Sequence, residues 1–70
     1  MQILIFKTNL ADPKSISDLG PVLDIHPHII QWNVDLHDID KVLRIETDHL
    51  APHSIELILA TAGYYCKELE

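Results

Sequence analysis

The chain has 70 residues, 47% of them hydrophobic, and eleven acids against five Lys and Arg give a formal net charge of −6 at pH 7. One small domain spanning residues 1–70 is expected, near the size at which folding buries only about 60% of the unfolded chain's surface. The acidic balance argues against nucleic acid and anionic membrane as partners, since both call for a basic surface, and no stretch approaches the length of a membrane span.

The opening MQILIF is too short an apolar run for a signal peptide and is read as a first strand over residues 2–7. Its unbroken apolar stretch from Ile3 to Phe6 predicts a central place in a sheet. Asp12 followed by Pro13 predicts a helix start, because a carboxylate can cap free N–H groups and proline suits the first helical position. Ile16, Leu19 and Leu23 then form an i, i+3, i+7 stripe toward the core. Gly20 and Pro21 lie inside this helix, so a kink or broken turn is expected near residues 17–21.

The next stretch organises the chain. Ile30, Trp32, Val34 and Leu36 alternate with Gln31, Asn33 and Asp35, and beyond a polar break at residues 37–40 Leu43 and Ile45 alternate with Arg44 and Glu46. A hairpin closed by that break pairs residues whose numbers sum to 77. Val34 then faces Leu43, Trp32 faces Ile45 and Asn33 faces Arg44, so apolar meets apolar and polar meets polar. Beyond it, Pro52 marks a second helix with Ile55, Ile58, Leu59 and Ala62 on one stripe, and Gly63 suits a left-handed cap. A last strand over residues 64–69 puts Tyr64 and Cys66 on one face and Tyr65, Lys67 and Leu69 on the other. Alternation predicts Trp32 and Cys66 buried beneath the helices.

The order βαββαβ predicts an α+β fold, the ferredoxin-like plait: a four-stranded antiparallel sheet with two helices on one face. Within that order, Pro27-His28-Ile29-Ile30-Gln31-Trp32-Asn33-Val34-Asp35-Leu36 resembles the P-G-V-x-x-V-x-V-D-L entry of heavy-metal-associated domains of the copper-chaperone type. Ala62-Gly63-Tyr64 is similar to the A-G-Y after their second helix, and the element lengths agree over nearly the whole chain. The resemblance implies a non-enzymatic role in heavy-metal, chiefly copper, homeostasis or tolerance. Those domains hold Cu(I) with a C-x-x-C pair after the first strand. Here Asn9 and Asp12 fall in the two cysteine places, and neither supplies the thiolate that selects soft metals. His28 stands where the family has glycine.

The remaining reactive residues give three further expectations. Cys66, the only cysteine, cannot form an intrachain disulfide, which suits a reducing, cytoplasmic compartment, and it reads as a small buried hydrophobe. His26, His28, His49 and His53 come from two loops at one end of the domain, and neutral imidazoles at that density would suit Zn(II) or Ni(II). Extending the register places His28 across from His49. Asp35, Asp38 and Asp40, beside His37, read as a solvated acidic tip without the ligand count of a calcium loop, and Glu68 and Glu70 as solubilising charges. No nucleophile is paired with a base, so no enzyme is expected and no cofactor apart from the Zn or Ni option. The alternative to metal handling is a protein-interaction or regulatory module that meets another protein, or itself, through the outer sheet face.

Overall fold

The first strand's alternation decides where the core lies. In the computed structural model, which describes residues 1–69, β1 (Gln2–Thr8) turns Leu4, Phe6 and Thr8 inward and leaves Ile3 and Lys7 exposed. It is followed by α1 (Pro13–Asp24), β2 (Ile29–Asp35), β3 (Val42–Thr47), α2 (Pro52–Thr61) and β4 (Cys66–Glu68). All pairings are antiparallel and the strand order is β2-β3-β1-β4. This is the ferredoxin-like arrangement, with β1 and β3 inside the sheet. Leu4, Phe6, Leu43 and Ile45 from these two strands meet Leu10, Leu19, Leu23, Ile55 and Leu59 in one core.

Helix α1 starts as expected: Asp12 accepts from the Ser15 N–H at 2.9 Å and from its Oγ at 3.1 Å, with Pro13 next. Of the kink or broken turn expected near residues 17–21, the broken turn does not form: the helix runs through Pro21 as one element. Ser17 and Pro21 both lie on the exposed side, so the carbonyl that loses its partner there can turn to water. Gly20 has a packing role instead: a Cβ there would lie 3.3 Å from Cζ2 of Trp32. Helix α2 ends with Gly63 at φ 93, the Gly63 N–H donating to the Ala60 carbonyl at 3.0 Å and the Tyr64 N–H to that of Leu59 at 2.8 Å. These two bonds are the Schellman closure that glycine permits.

The hairpin register of 77 holds from Asp35↔Val42 to Gln31↔Glu46, and then a bulge at Ile30 shifts it to Ile29↔Thr47. Leu36 falls outside β2, and β4 is shorter than expected, with Tyr64, Tyr65 and Leu69 outside it. Trp32 and Cys66 are half-buried, not buried, because β2 and β4 are the two edge strands and each has only one strand neighbour. The Trp32 Nε1–H donates to the Asp24 carboxylate at 2.8 Å on the exposed side. Glu68 pairs with Phe6 and is half-buried, while Glu70 lies outside the described residues.

Two buried threonines tie the loops at opposite ends of the central strands. Thr8 Oγ1 donates to the Lys41 carbonyl and accepts from the Leu10 N–H at 3.2 Å. Thr47 Oγ1 donates to the His28 carbonyl at 2.6 Å and accepts from the Leu50 N–H at 3.2 Å. With donor and acceptor both used, the hydrogen bonds of each buried hydroxyl offset the cost of removing it from water.

Candidate functional site

At the Thr8 end, the loop between β1 and α1 is closed by its own side chains. Asn9 exchanges two bonds with Tyr65: the Tyr65 N–H donates to Asn9 Oδ1 at 2.9 Å, and the Asn9 N–H to the Tyr65 carbonyl at 3.3 Å. Asp12 is spent on the cap of α1, and the Ser15 N–H and hydroxyl hold its carboxyl below the ordinary value of 3.8. The two places expected to correspond to a soft-metal pair therefore hold oxygens engaged in structure. Cys66 faces Thr8 across the β1–β4 pairing, at the same end. Partial burial, with the nearby Glu56 charge, pushes its thiol up to about 11, so it is protonated at neutral pH. A single protonated thiol beside an amide and a capping carboxylate does not fit Cu(I), which selects paired thiolates.

The opposite end gathers histidines. Thr47 holds the His28 carbonyl, and the bulge at Ile30 brings His28 opposite Asp48, not His49. His28 Nδ1 lies 3.2 Å from Asp48 Oδ1, and the Asp48 N–H donates to the His28 carbonyl at 3.4 Å. Desolvation raises the Asp48 pKa, but the hydrogen bond from His28 and the neighbouring His49 and His28 more than offset it, and the carboxyl titrates below its ordinary value. The His49 ring stands edge-on to His28 with centroids 5.6 Å apart, and the His26 ring lies 6.0 Å from His28 at a tilt of 53°. His26 Nδ1 accepts from the His28 N–H at 3.2 Å, which leaves the proton of a neutral His26 ring on Nε2. His53 stands on α2, 77% exposed, with Nδ1 3.7 Å from Glu56. Three of the four histidines expected at this end are thus brought into ring proximity. Among the described residues, no three His, Cys, Asp or Glu side chains converge so as to hold a metal ion. Sequence reasoning missed Asp48 and Thr47. The T-x-x-L spacing of Thr47 and Leu50, suited to a hydroxyl accepting the i+3 N–H, was the available signal for the second.

The acidic tip is built into its turn. Asp35 accepts from the His37 N–H at 3.0 Å and Asp38 from the Asp40 N–H at 2.8 Å, while Asp40 lies 3.7 Å from Lys7 Nζ. Across the outer sheet face, Ile3 is 46% and Leu69 39% exposed, beside Ile5 and Val42. Around them lie Lys7, Lys67, Arg44 and Glu46, the last two 3.9 Å apart.

The fold is an open βαββαβ plait, the arrangement also found in heavy-metal-associated domains of known structure. The solved structures bear this out. The yeast copper transporter domain Ccc2a, studied in apo and Cu(I)-loaded states, superposes with a TM-score of 0.84 at 14% identity, covering 100% of this chain and 97% of that one. Oxidized MerP from Ralstonia metallidurans gives 0.82 at 10% identity, covering 99% and 97%. The heavy-metal-associated domain of the copper chaperone for superoxide dismutase, in apo form, gives 0.81 at 15% identity, covering 97% and 66%. No family model matches the chain, and no curated protein matches it in sequence. At such identities the likeness is one of fold.

Proposed function

We propose that this chain is a non-catalytic member of the heavy-metal-associated type that serves heavy-metal, chiefly copper, homeostasis by recognising a partner protein and does not itself grip a soft ion. The observation that carries the reading is the engagement of Asn9 with Tyr65 and of Asp12 with Ser15, at the places where C-x-x-C would lie. Support for the role comes from the neighbours in fold, one of which is a complex of Atx1, Cu(I) and Ccc2a, with a TM-score of 0.85 at 14% identity.

The partner meets the outer sheet face, where Ile3, Ile5, Val42 and Leu69 lie among charges. At about 4.8 Å between strands and 3.4 Å per residue, four strands of about five residues present roughly 300 Å². A stable dimer buries about 800 Å² per partner, so this face suits a transient partner better than a second copy.

Titration of the isotope-labelled chain with a Cu(I)-loaded heavy-metal-associated domain tests this. Saturable NMR shifts on Ile3, Ile5, Val42 and Leu69, with copper retained by the added domain, are expected. Transfer of Cu(I) to this chain, or an unperturbed sheet face, would sink the reading.

A further inference from the structure

The histidine end carries a feature that the partner reading does not use. A metal-bound histidine commonly gives its second ring nitrogen to a carboxylate, which fixes the tautomer and ring orientation. His28 already has that arrangement, with Nδ1 3.2 Å from Asp48 Oδ1 and Nε2 left as the lone-pair nitrogen when Nδ1 donates. An imidazole bound at about 2.0–2.1 Å sets its ring centre about 3.2 Å from the ion, so two rings on one tetrahedral ion lie about 5 Å apart. The 5.6 Å between the His28 and His49 rings is within a small side-chain movement of that distance.

We propose that His28 and His49 form a two-imidazole site for Zn(II), or for Ni(II) of similar ligand preference, with Asp48 as the orienting carboxylate and water in the remaining positions. The chain supplies two ligands, and no three His, Cys, Asp or Glu side chains converge among the described residues. His26 flanks the site without joining it, because its Nδ1 lone pair is engaged by the His28 N–H. His53 points its Nδ1 toward Glu56 and stands outside.

Access and rigidity both suit a hydrated ion. The His28 side chain is 45% exposed. His49 and Asp48 are exposed. The backbone beneath is held by Thr47 Oγ1 on the His28 carbonyl. The bulge at Ile30 is what puts Asp48 in reach, since an unshifted register would have placed His49 there. Bulges commonly re-aim side chains in this way.

The test is Zn(II) titration of the full chain by calorimetry and native mass spectrometry, with histidine ring NMR shifts. One saturable equivalent is expected, with shifts centred on His28 and His49. His28→Ala and His49→Ala should each lower affinity at least tenfold, and Asp48→Asn about 10- to 100-fold, as outer-shell partners do. His53→Ala, His37→Ala and Cys66→Ser should leave the affinity unchanged. All of these side chains are at least partly exposed, and circular dichroism will verify that each variant folds. The proposal fails if zinc uptake does not saturate, if it survives the His28→Ala/His49→Ala double change, or if the shifts centre on His37 and the aspartates of the far turn.

Discussion

Gly20→Ala is a sensitive probe of how α1 packs on the edge strand. The new methyl would sit 3.3 Å from Trp32 Cζ2 and 3.6 Å from Cη2. Relaxed carbon contacts lie at about 3.5–4.0 Å, so the indole must retreat by about 0.3 Å. It has somewhere to go, because Trp32 is half-buried and borders a cleft of about 220 Å³ lined by Leu23, Asp24 and residues 29–31. The same movement lengthens the 2.8 Å bond from Nε1 to Asp24, which still leaves an ordinary hydrogen bond. Retreat costs a few tenths of a kcal/mol, and the roughly 0.8–1.0 kcal/mol usually gained from replacing a helix-interior glycine is reduced here, because a Cβ on the residue before Pro21 disfavours the α region. The opposing effects nearly cancel, so the Tm should stay within about 2 °C of wild type. Gly20→Leu adds more volume than the retreat can accommodate and should lose about 1–2 kcal/mol. Thermal and urea unfolding followed by the emission of Trp32, the sole tryptophan, measures both. A Gly20→Ala protein melting several degrees below wild type, with shifted emission, would show that Trp32 has no room and that the packing argument is wrong.

Trp32→Ala should cost about 2–3 kcal/mol, less than the 3–5 typical of a fully buried aromatic, because one flank of the ring already faces water. Thr47→Val should cost about 1–2 kcal/mol in urea unfolding, since the Leu50 N–H and His28 carbonyl both lose a partner, while Thr47→Ser should restore most of it. Asp12→Ala should lower the Tm at pH 7, and the gap should close on acidification. Its folded pKa is depressed below 3.8 by the Ser15 N–H and hydroxyl, so the stabilisation is present above that value and is lost as pH falls through the folded one. Equal gaps at pH 7 and pH 2 would contradict this. Cys66, pushed from 9.0 to about 11 by burial and Glu56, should react with iodoacetamide at pH 7.5 at least about tenfold more slowly in the native protein than in urea, the lower thiolate fraction outweighing the greater nucleophilicity of a more basic thiolate.

What the chain makes legible by itself is local and periodic. Period two in residues 30–46 identifies both hairpin strands and their facing pairs near the turn, because a one-residue slip would move every apolar side chain to the other face. The Asp12–Pro13 start, the Ile16, Leu19, Leu23 stripe and the Gly63 cap are equally local, each resting on one backbone geometry that those residues favour. The order of these elements then leaves the plait as the simplest arrangement that buries the apolar stripes of both helices against one face of the sheet.

Three matters needed the tertiary structure. Burial of Trp32 and Cys66 depends on which strands lie at the sheet's edges, and alternation reports the face of a side chain without reporting how many neighbours cover it. The run of α1 through Pro21 depends on which side of the helix meets water. The histidine end depends on one extra residue at Ile30. Within the hairpin His28 would have met His49, but beyond the bulge it meets Asp48, and the imidazole gains a carboxylate on Nδ1. A bulge leaves no mark in a pattern of apolar and polar residues, because its geometry is settled by twist and by packing on the helices above.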